Sequence, residues 1–443
     1  MEKVNLIQFL KQHDLPFVDD QEKLWAKVVS FEVFRDVSDT KMLIGTYEDI
    51  NAFEQNKEQS LFLTPIQTLR ESEFQELRQI SFKIISDMKI KGHCTVKFAL
   101  SDKSWEYSII DISPYNSQLK AFSQVTRGID IEAIKEQLAQ GELLKDIKNE
   151  RTGLSILSES TYTYLSLFYD EDRFVSARNM ESAFLKVARL LTGNEKQAIM
   201  SNTAELTDDE LYQKLVKGST NQIIILLEAL RRGFSVEELY GLTKINSLFL
   251  DKFQHIVEIE EELKINVFDP QLLKEAKRYG LSDERIAEIW SNEWPEIRRR
   301  RLLDDILPSY KKADKQASNY YFTSYELRQE LEESEEVKIL ILAERPDDKL
   351  PELIKNLKSL NIQIITLGQV IDEADKNYLE QGSLENLLDL IDYEGINQIL
   401  ILKEWEETEP LEELEIHVYG DGLFDLGREE LRELFIQSEE KES

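Results

Sequence analysis

The sequence predicts a multidomain chain: an α+β lobe over residues 1–175, an all-α domain over 176–334 and an α/β domain over 335–443. Three observations carry that division. Strand-like and helix-like runs mix up to about residue 170. Helix caps then follow one another. From residue 337, three short apolar runs alternate with two helical ones.

In the first lobe, residues 2–13 have the spacing of a short amphipathic helix. Lys27–Asp36 and Lys41–Tyr47 read as strands joined across Val37-Ser38-Asp39-Thr40, a hairpin by its turn chemistry. Leu61–Leu63 is a short strand. Phe74, Leu77, Ile80, Ile84 and Ile85 give a helix over Ser72–Met88. Cys94–Leu100 and Trp105–Ile112 form a second hairpin around Ser101-Asp102-Lys103-Ser104.

In the second domain, Asn179 caps a helix bearing Ala183, Phe184, Val187 and Leu190. Thr207 with Glu210 and Ser235 with Glu238 are capping boxes. Asp269 followed by Pro270 places an N-cap before proline at the first helical position. Gly233 and Gly280 stand where left-handed C-terminal caps belong. Ile223, Leu226, Leu227 and Leu230 supply a buried face. In the third domain, strands at Val337–Ala343, Ile362–Leu367 and Ile399–Lys403 alternate with helices at Leu350–Leu360 and Leu384–Leu390, which predicts parallel βαβ packing. The tail, Ile436–Ser443, is polar.

Composition narrows the function classes. The 443 residues carry 86 acidic and 54 basic side chains, a net charge of −32. That balance opposes binding to nucleic acid or an anionic membrane, since phosphate binding rests on Lys and Arg. It suits a solvated acidic surface or docking to a basic partner. One cysteine, Cys94, precludes an internal disulfide, and the four histidines show no metal-binding spacing. With no signal-peptide pattern and no long apolar run, a cytoplasmic location is expected.

Three separated segments carry a family resemblance. Pro308–Glu326, PSYKKADKQASNYYFTSYE, is similar to the P-V-Y-K-x-V-D-T-C-A-A-E-F…Y-x-Y-S-T-Y-E stretch of carbamoyl-phosphate synthase large chains. Arg231–Phe253 resembles their F-R-x-G-x-S-V-x-x-V-x-x-L-T-x-I-D-x-W-F-L, and Thr64–Arg78 their A-P-x-Q-T-L-x-x-x-E-Y-Q-x-x-R. The resemblance runs in order from about residue 25 to 405. It implies part of the first ATP-grasp module, the helical oligomerisation domain and a Rossmann-like pre-ATP-grasp domain. On this resemblance, the small lobe that clamps ATP, the second ATP-grasp half and the regulatory domain are expected to be missing.

The resemblance also implies where magnesium and nucleotide ligands would stand. The family's V-Q-F-A is Val96-Lys97-Phe98-Ala99, so a cation replaces an oxygen ligand. Its I-E-x-N-P-R is Ile110-Asp111-Ile112-Ser113-Pro114-Tyr115. Asp111 is one carbon shorter than Glu, Ser113 replaces an amide carbonyl, and Tyr115 removes a guanidinium. The loop G-x-H-T-G-D-S is Glu54–Ser60, with Asn56 for the His. The glycine-rich phosphate turn of the second half is Ala343-Glu344-Arg345-Pro346-Asp347-Asp348. There one like charge at about 4 Å costs about 4 kcal/mol at an effective dielectric of ~20. Scaffold residues persist: Pro65, Gln67, Thr68, Leu69, Pro114, Tyr310, Lys311 and Asp314.

Other signals have two readings each. Arg298, Arg299, Arg300 and Arg301 form either an anion or acidic-partner patch or a helix face paired with neighbouring carboxylates. Tyr320, Tyr321, Phe322 and Tyr325 either stack a ligand or pack the core of an amphipathic helix. His93, at the start of a strand, reads as packing. Lys97 is expected to form an ion pair with Asp111 across the sheet, filling the old metal position.

These readings lead to a non-catalytic protein, a degenerate ATP-grasp relative acting through a protein partner or self-association via residues 176–334. No cofactor is expected. Two alternatives stand beside it. One is an accessory or short-form subunit of carbamoyl-phosphate synthesis that retains ATP and Mg binding. The other is a nucleotide sensor without turnover.

Overall fold

The computed structural model describes residues 27–50, 61–101, 106–113, 130–149, 153–157, 165–168, 174–192, 203, 205–218, 222–313, 319–326, 337–343, 348–368, 370–371, 373–402, 411 and 414–435. The expected helix at 2–13 and the tail at 436–443 lie outside these residues. The chain divides into two compact units, Met1–Glu262 with Ala313–Ser318, and Leu263–Lys312 with Asn319–Ser443.

The first unit is built on β1 (Lys27–Arg35) and β2 (Lys41–Asp49), the expected hairpin. Its turn is held by Asp36, whose Oδ1 accepts from the Ser38 and Thr40 amides, both at 2.9 Å. The other oxygen accepts from Leu144 N at 3.0 Å, which ties the turn to a segment far along the chain. After β3 (Phe62–Thr64) come α1 (Glu71–Asp87) and a second hairpin, β4 (Gly92–Leu100) with β5 (Tyr107–Ser113). Further on, β6 (Leu165–Phe168) and β7 (Phe174–Ala177) complete an antiparallel sheet of order β5-β4-β1-β2-β3-β6-β7.

Strand alternation sorts this sheet into two chemically different faces. Val29, Phe31 and Val33 of β1 pair with Phe98, Val96 and Cys94 of β4. These six pack on Leu77, Ile84 and Ile85 of α1, every one fully buried. Burial of this kind contributes about 25 cal/mol per Å² of apolar surface, so it is the main force fixing the strand register. The residues between them face the other way and are largely polar.

The remaining helices of this unit follow, three of them on the caps that the sequence predicts. They are α2 (Ile131–Ala139), α3 (Met180–Thr192), α4 (Asp208–Lys217), α5 (Gln222–Arg231) and α6 (Val236–Thr243), followed by α7 (Ser247–Ile265), which continues past Glu262. Thr207 with Glu210 and Ser235 with Glu238 both close full capping boxes, and Asn179 Oδ1 accepts from Ser182 N at 2.8 Å. Gly233 takes φ = 91°, a left-handed conformation that glycine adopts readily because it has no Cβ.

In the second unit, α8 (Pro270–Arg278), α9 (Asp283–Trp290) and α10 (Trp294–Leu303) precede a sheet of order β14-β13-β10-β11-β12-β9-β8. Its centre is the expected parallel set, β10 (Lys338–Ala343), β11 (Gln363–Leu367) and β13 (Gln398–Leu402), with α11 (Leu350–Lys358) and α12 (Leu384–Glu394) between them in sequence. The strand β14 (His417–Tyr419) and the helix α13 (Arg428–Phe435) follow.

One element differs from expectation. The stretch Pro308–Glu326 is not the end of an all-α domain. Ser309–Lys312 is β8 and Tyr320–Ser324 is β9, and β9 pairs with β12 (Lys376–Tyr378). The aromatic cluster therefore packs from a strand, with Tyr320 and Phe322 inward, rather than from an amphipathic helix. Tyr321 stacks on Tyr378 with centroids 5.2 Å apart, and Tyr310 meets the same ring edge-on at 4.8 Å.

Candidate functional site

Two cross-strand rows make up the polar face of the first sheet. Directly paired residues share a face. One row runs Tyr47, Ser30, Lys97, Asp111; the next runs Gly45, Glu32, Thr95, Ser113. Three residues expected at a magnesium site, Lys97, Asp111 and Ser113, are thus brought onto one face, away from the α1 core. Asn56 and Tyr115 lie outside the described residues, as do the whole loop Glu54–Ser60 and the turn Glu344–Asp347.

Lys97 stands directly opposite Asp111, but the expected ion pair does not close: neither residue makes a salt bridge within 4 Å. The physical reason lies in the register. The ladder shifts between Lys97 and Phe98, leaving Ile110 as an extra, exposed residue beside Asp111, and a bulge of this kind re-aims its neighbours. Asp111 is left exposed. Burial, and then the charge of Asp111, push the Cys94 thiol up to about 12.

Glu32, His93 and Thr95 are on this face too, and sequence reasoning missed the first and last of them. Each is at least 95% buried. Glu32 Oε1 lies 3.7 Å from His93 Nε2, yet Glu32 Oε1, both His93 ring nitrogens and Thr95 Oγ1 have no hydrogen-bond partner. His93 packs edge-on against Phe34 at 5.6 Å. The signal available in the sequence was the period-two placement of Ser30 and Glu32 between Val29, Phe31 and Val33. It marks a strand with one polar face.

Magnesium holding a triphosphate needs near-octahedral oxygen coordination, usually from one or two carboxylates, water and phosphate. The row nearest Asp111 offers that one carboxylate, with Lys97 at the paired backbone position. Among the described residues no group of three or more His, Cys, Asp or Glu side chains is placed to hold a metal.

Behind the polar face, Glu48 organises the Pro65–Leu69 motif. Its carboxylate accepts from Gln67 N at 2.6 Å and Thr68 Oγ1 at 2.5 Å, while Lys27 Nζ donates to Thr68 O at 2.8 Å. Burial pushes the Glu48 carboxyl up to about 7, against those hydrogen bonds and the charge of Lys27. The scaffold residues retained in this motif thus serve local architecture.

The four arginines of α10 have four different environments within the second unit. Arg298 reaches Asp392 at 2.5 Å and Asp389 at 3.5 Å. Arg299 forks onto Glu296, both bonds at 2.8 Å. Arg300 lies 4.0 Å over the Phe268 ring and 3.5 Å from Glu296. Arg301 is fully buried: its Nη2 lies 2.7 Å from Asp283 and 3.0 Å from Asp389, and its Nη1 donates to Ile306 O at 3.3 Å. Lys277 joins the cluster at 2.5 Å from Glu385 and 3.0 Å from Asp283. Burial raises Asp283, but Lys277 and Arg301 outweigh it and hold that carboxyl below its ordinary value. Burial prevails at Asp389, whose carboxyl rises to about 6 despite Arg301.

Among the described residues no helix is long and apolar enough to cross a membrane. Residues 17–147 match the family described as carbamoyl-phosphate synthase L chain, ATP binding domain. Residues 176–305 match carbamoyl-phosphate synthetase large chain, oligomerisation domain. Similar solved structures include Rhizobium etli pyruvate carboxylase T882A with acetyl coenzyme A, at 17% identity over 38% of this chain and 16% of that one, TM-score 0.32. Another is the Campylobacter jejuni biotin carboxylase–βγ-ATP complex, at 18% identity over 32% and 29%, TM-score 0.25. This chain spans less than a third of either.

Proposed function

A partial carbamoyl-phosphate synthase large-chain-like protein of the ATP-grasp kind, this chain works, we propose, by assembly with protein chains rather than by turnover. The observation that carries this reading is Lys97 directly opposite Asp111. An ammonium at the paired position adds positive charge near the one exposed carboxylate of that row, which disfavours a divalent cation there. At an effective dielectric of ~20, a like charge at roughly 4–8 Å opposes a metal by about 2–4 kcal/mol per unit charge. The stretch matched to an oligomerisation domain supplies the positive half of the reading.

One observation favours a second reading, small-ligand binding without turnover. Glu32, His93 and Thr95 present four buried polar atoms with no partner on the same face. Buried polar groups are ordinarily satisfied, by protein, water or ligand.

The test is ATP hydrolysis by the full chain with magnesium, bicarbonate and an ammonia source. No bicarbonate-dependent phosphate release is expected. Release above an Asp111→Ala background would overturn the assembly reading in favour of an enzyme component.

A further inference from the structure

In the buried cluster of the second unit, three carboxylates meet two cations, and the odd charge falls on Asp389. Lys277 and Arg301 both reach Asp283. Lys277 also holds Glu385, whose other oxygen accepts from Asp283 N at 2.7 Å. Asp389 is left with the Arg301 Nη2 already committed to Asp283, and with the Tyr325 hydroxyl, which donates to it at 3.2 Å. The other titratable groups on this side, Tyr310 of β8 and Glu380 after β12, bring no positive charge. A buried charge without a cation of its own is costly, so the cluster has a place for one proton. Burial outweighs Arg301 at Asp389 and raises its carboxyl to about 6.

The movable part lies at the outer edge of the cluster. Asp389 and Asp392 are three residues apart on one face of α12. Arg298 of α10, 16% exposed, holds the half-exposed Asp392 through Nη2 at 2.5 Å. Its Nε lies 3.5 Å from Asp389 Oδ1 and has no hydrogen-bond partner. Buried donors are ordinarily satisfied, and a charge-assisted bond closes at roughly 2.8 Å. We propose that Asp389, Arg298 and Asp392 form a proton-operated latch between α10 and α12. With Asp389 neutral, Arg298 rests on Asp392, as in this structure. With Asp389 ionised, Arg298 Nε closes onto Asp389 and its hold on Asp392 loosens. Arg298 is then shared between two carboxylates, so the ionised cluster keeps a net negative charge. The two helices therefore part more readily at neutral pH than at pH 5.

The experiment is hydrogen exchange of the full chain, read by mass spectrometry on peptides from α10 and α12 and corrected for the intrinsic pH dependence of exchange. Between pH 5 and 7.5 the wild-type opening constant is expected to rise roughly tenfold, by linkage to one carboxyl raised from 3.8 to about 6. Asp389→Asn, nearly the same shape, is expected to abolish the rise. Arg298→Met removes a neighbouring positive charge and moves the midpoint of the rise to higher pH. Asp392→Asn frees Arg298 for Asp389 and moves the midpoint lower; this residue is half exposed, so its variant tests the latch even if Arg298→Met does not fold. A merely structural contact would change protection without moving the midpoint in opposite senses. His417, on β14, is the one histidine of this unit, and its titration would give a rise that survives Asp389→Asn. That result, or wild-type protection equal at both pH values, overturns the latch. A midpoint unmoved by Asp392→Asn overturns the part given to Arg298.

Discussion

Arg301 and Asp283 form a salt bridge from which water is excluded. Both side chains have zero exposure, and the guanidinium lies within 2.8 Å of both carboxylate oxygens. Asp283 is the first residue of α9 and Arg301 belongs to the last turn of α10. Glu385 and Asp389, one turn apart on α12, close the cluster, so two helices of the oligomerisation-domain match are bonded to the α/β sheet's own helix.

Removing one partner of such a cluster leaves uncompensated buried charge, typically at a cost of about 3–5 kcal/mol. Arg301→Met is therefore expected to destabilise the second unit by that amount, while Arg299→Met, on the exposed side of the helix, changes stability by less than about 1 kcal/mol. Chemical denaturation followed by tryptophan fluorescence checks both.

Asp389 titrates against folding. Its folded-state carboxyl stands at about 6, above the ordinary 3.8, so the native state binds this proton more tightly than the unfolded chain does. The contribution is fully present below about pH 4 and is lost as pH rises through about 6, an effect of about 3 kcal/mol. Asp389→Asn is expected to remove that step from the stability-against-pH curve. A curve unchanged by the substitution would show that Asp389 stays ionised throughout.

Glu48 behaves the same way in the first unit. Its carboxyl is raised from 4.5 to about 7, so the stability it contributes is lost as pH rises through that window. Glu48→Gln keeps an acceptor for the Gln67 amide and removes the buried charge. Thermal melts are expected to show a smaller loss of stability between pH 4.5 and 7 than in the wild type.

The two capping boxes give a calibrated pair. Thr207→Ala and Ser235→Ala each leave an amide at a helix start without its acceptor, at a cost of about 1 kcal/mol apiece. Being 28 residues apart on different helices, they are expected to add. The double variant in urea checks this.

What the sequence revealed and what it hid have a common physical basis. The β1–β2 hairpin, α1 and the capped helices rest on contacts between residues close in sequence, so periodicity and cap chemistry were enough. Strand β9 was hidden because its partner β12 is only three residues long and lies more than fifty residues downstream, and because YYFTSY has apolar groups at both strand and helix spacing. The polar face was half legible: motif resemblance found Lys97, Asp111 and Ser113, but Glu32 and Thr95 needed the strand register to join them. The arginine run shows the limit most clearly. Four consecutive arginines look like a surface, and only Asp283, Glu385 and Asp389, up to 88 residues away, explain why Arg301 is inside.

The central claim is that a lysine facing the one exposed carboxylate of its row excludes magnesium nucleotide from this face. Calorimetric titration of the full chain with Mg-ATP tests it most directly. No saturable heat is expected up to millimolar nucleotide. Saturable binding at micromolar concentration, abolished by Asp111→Ala, would contradict it.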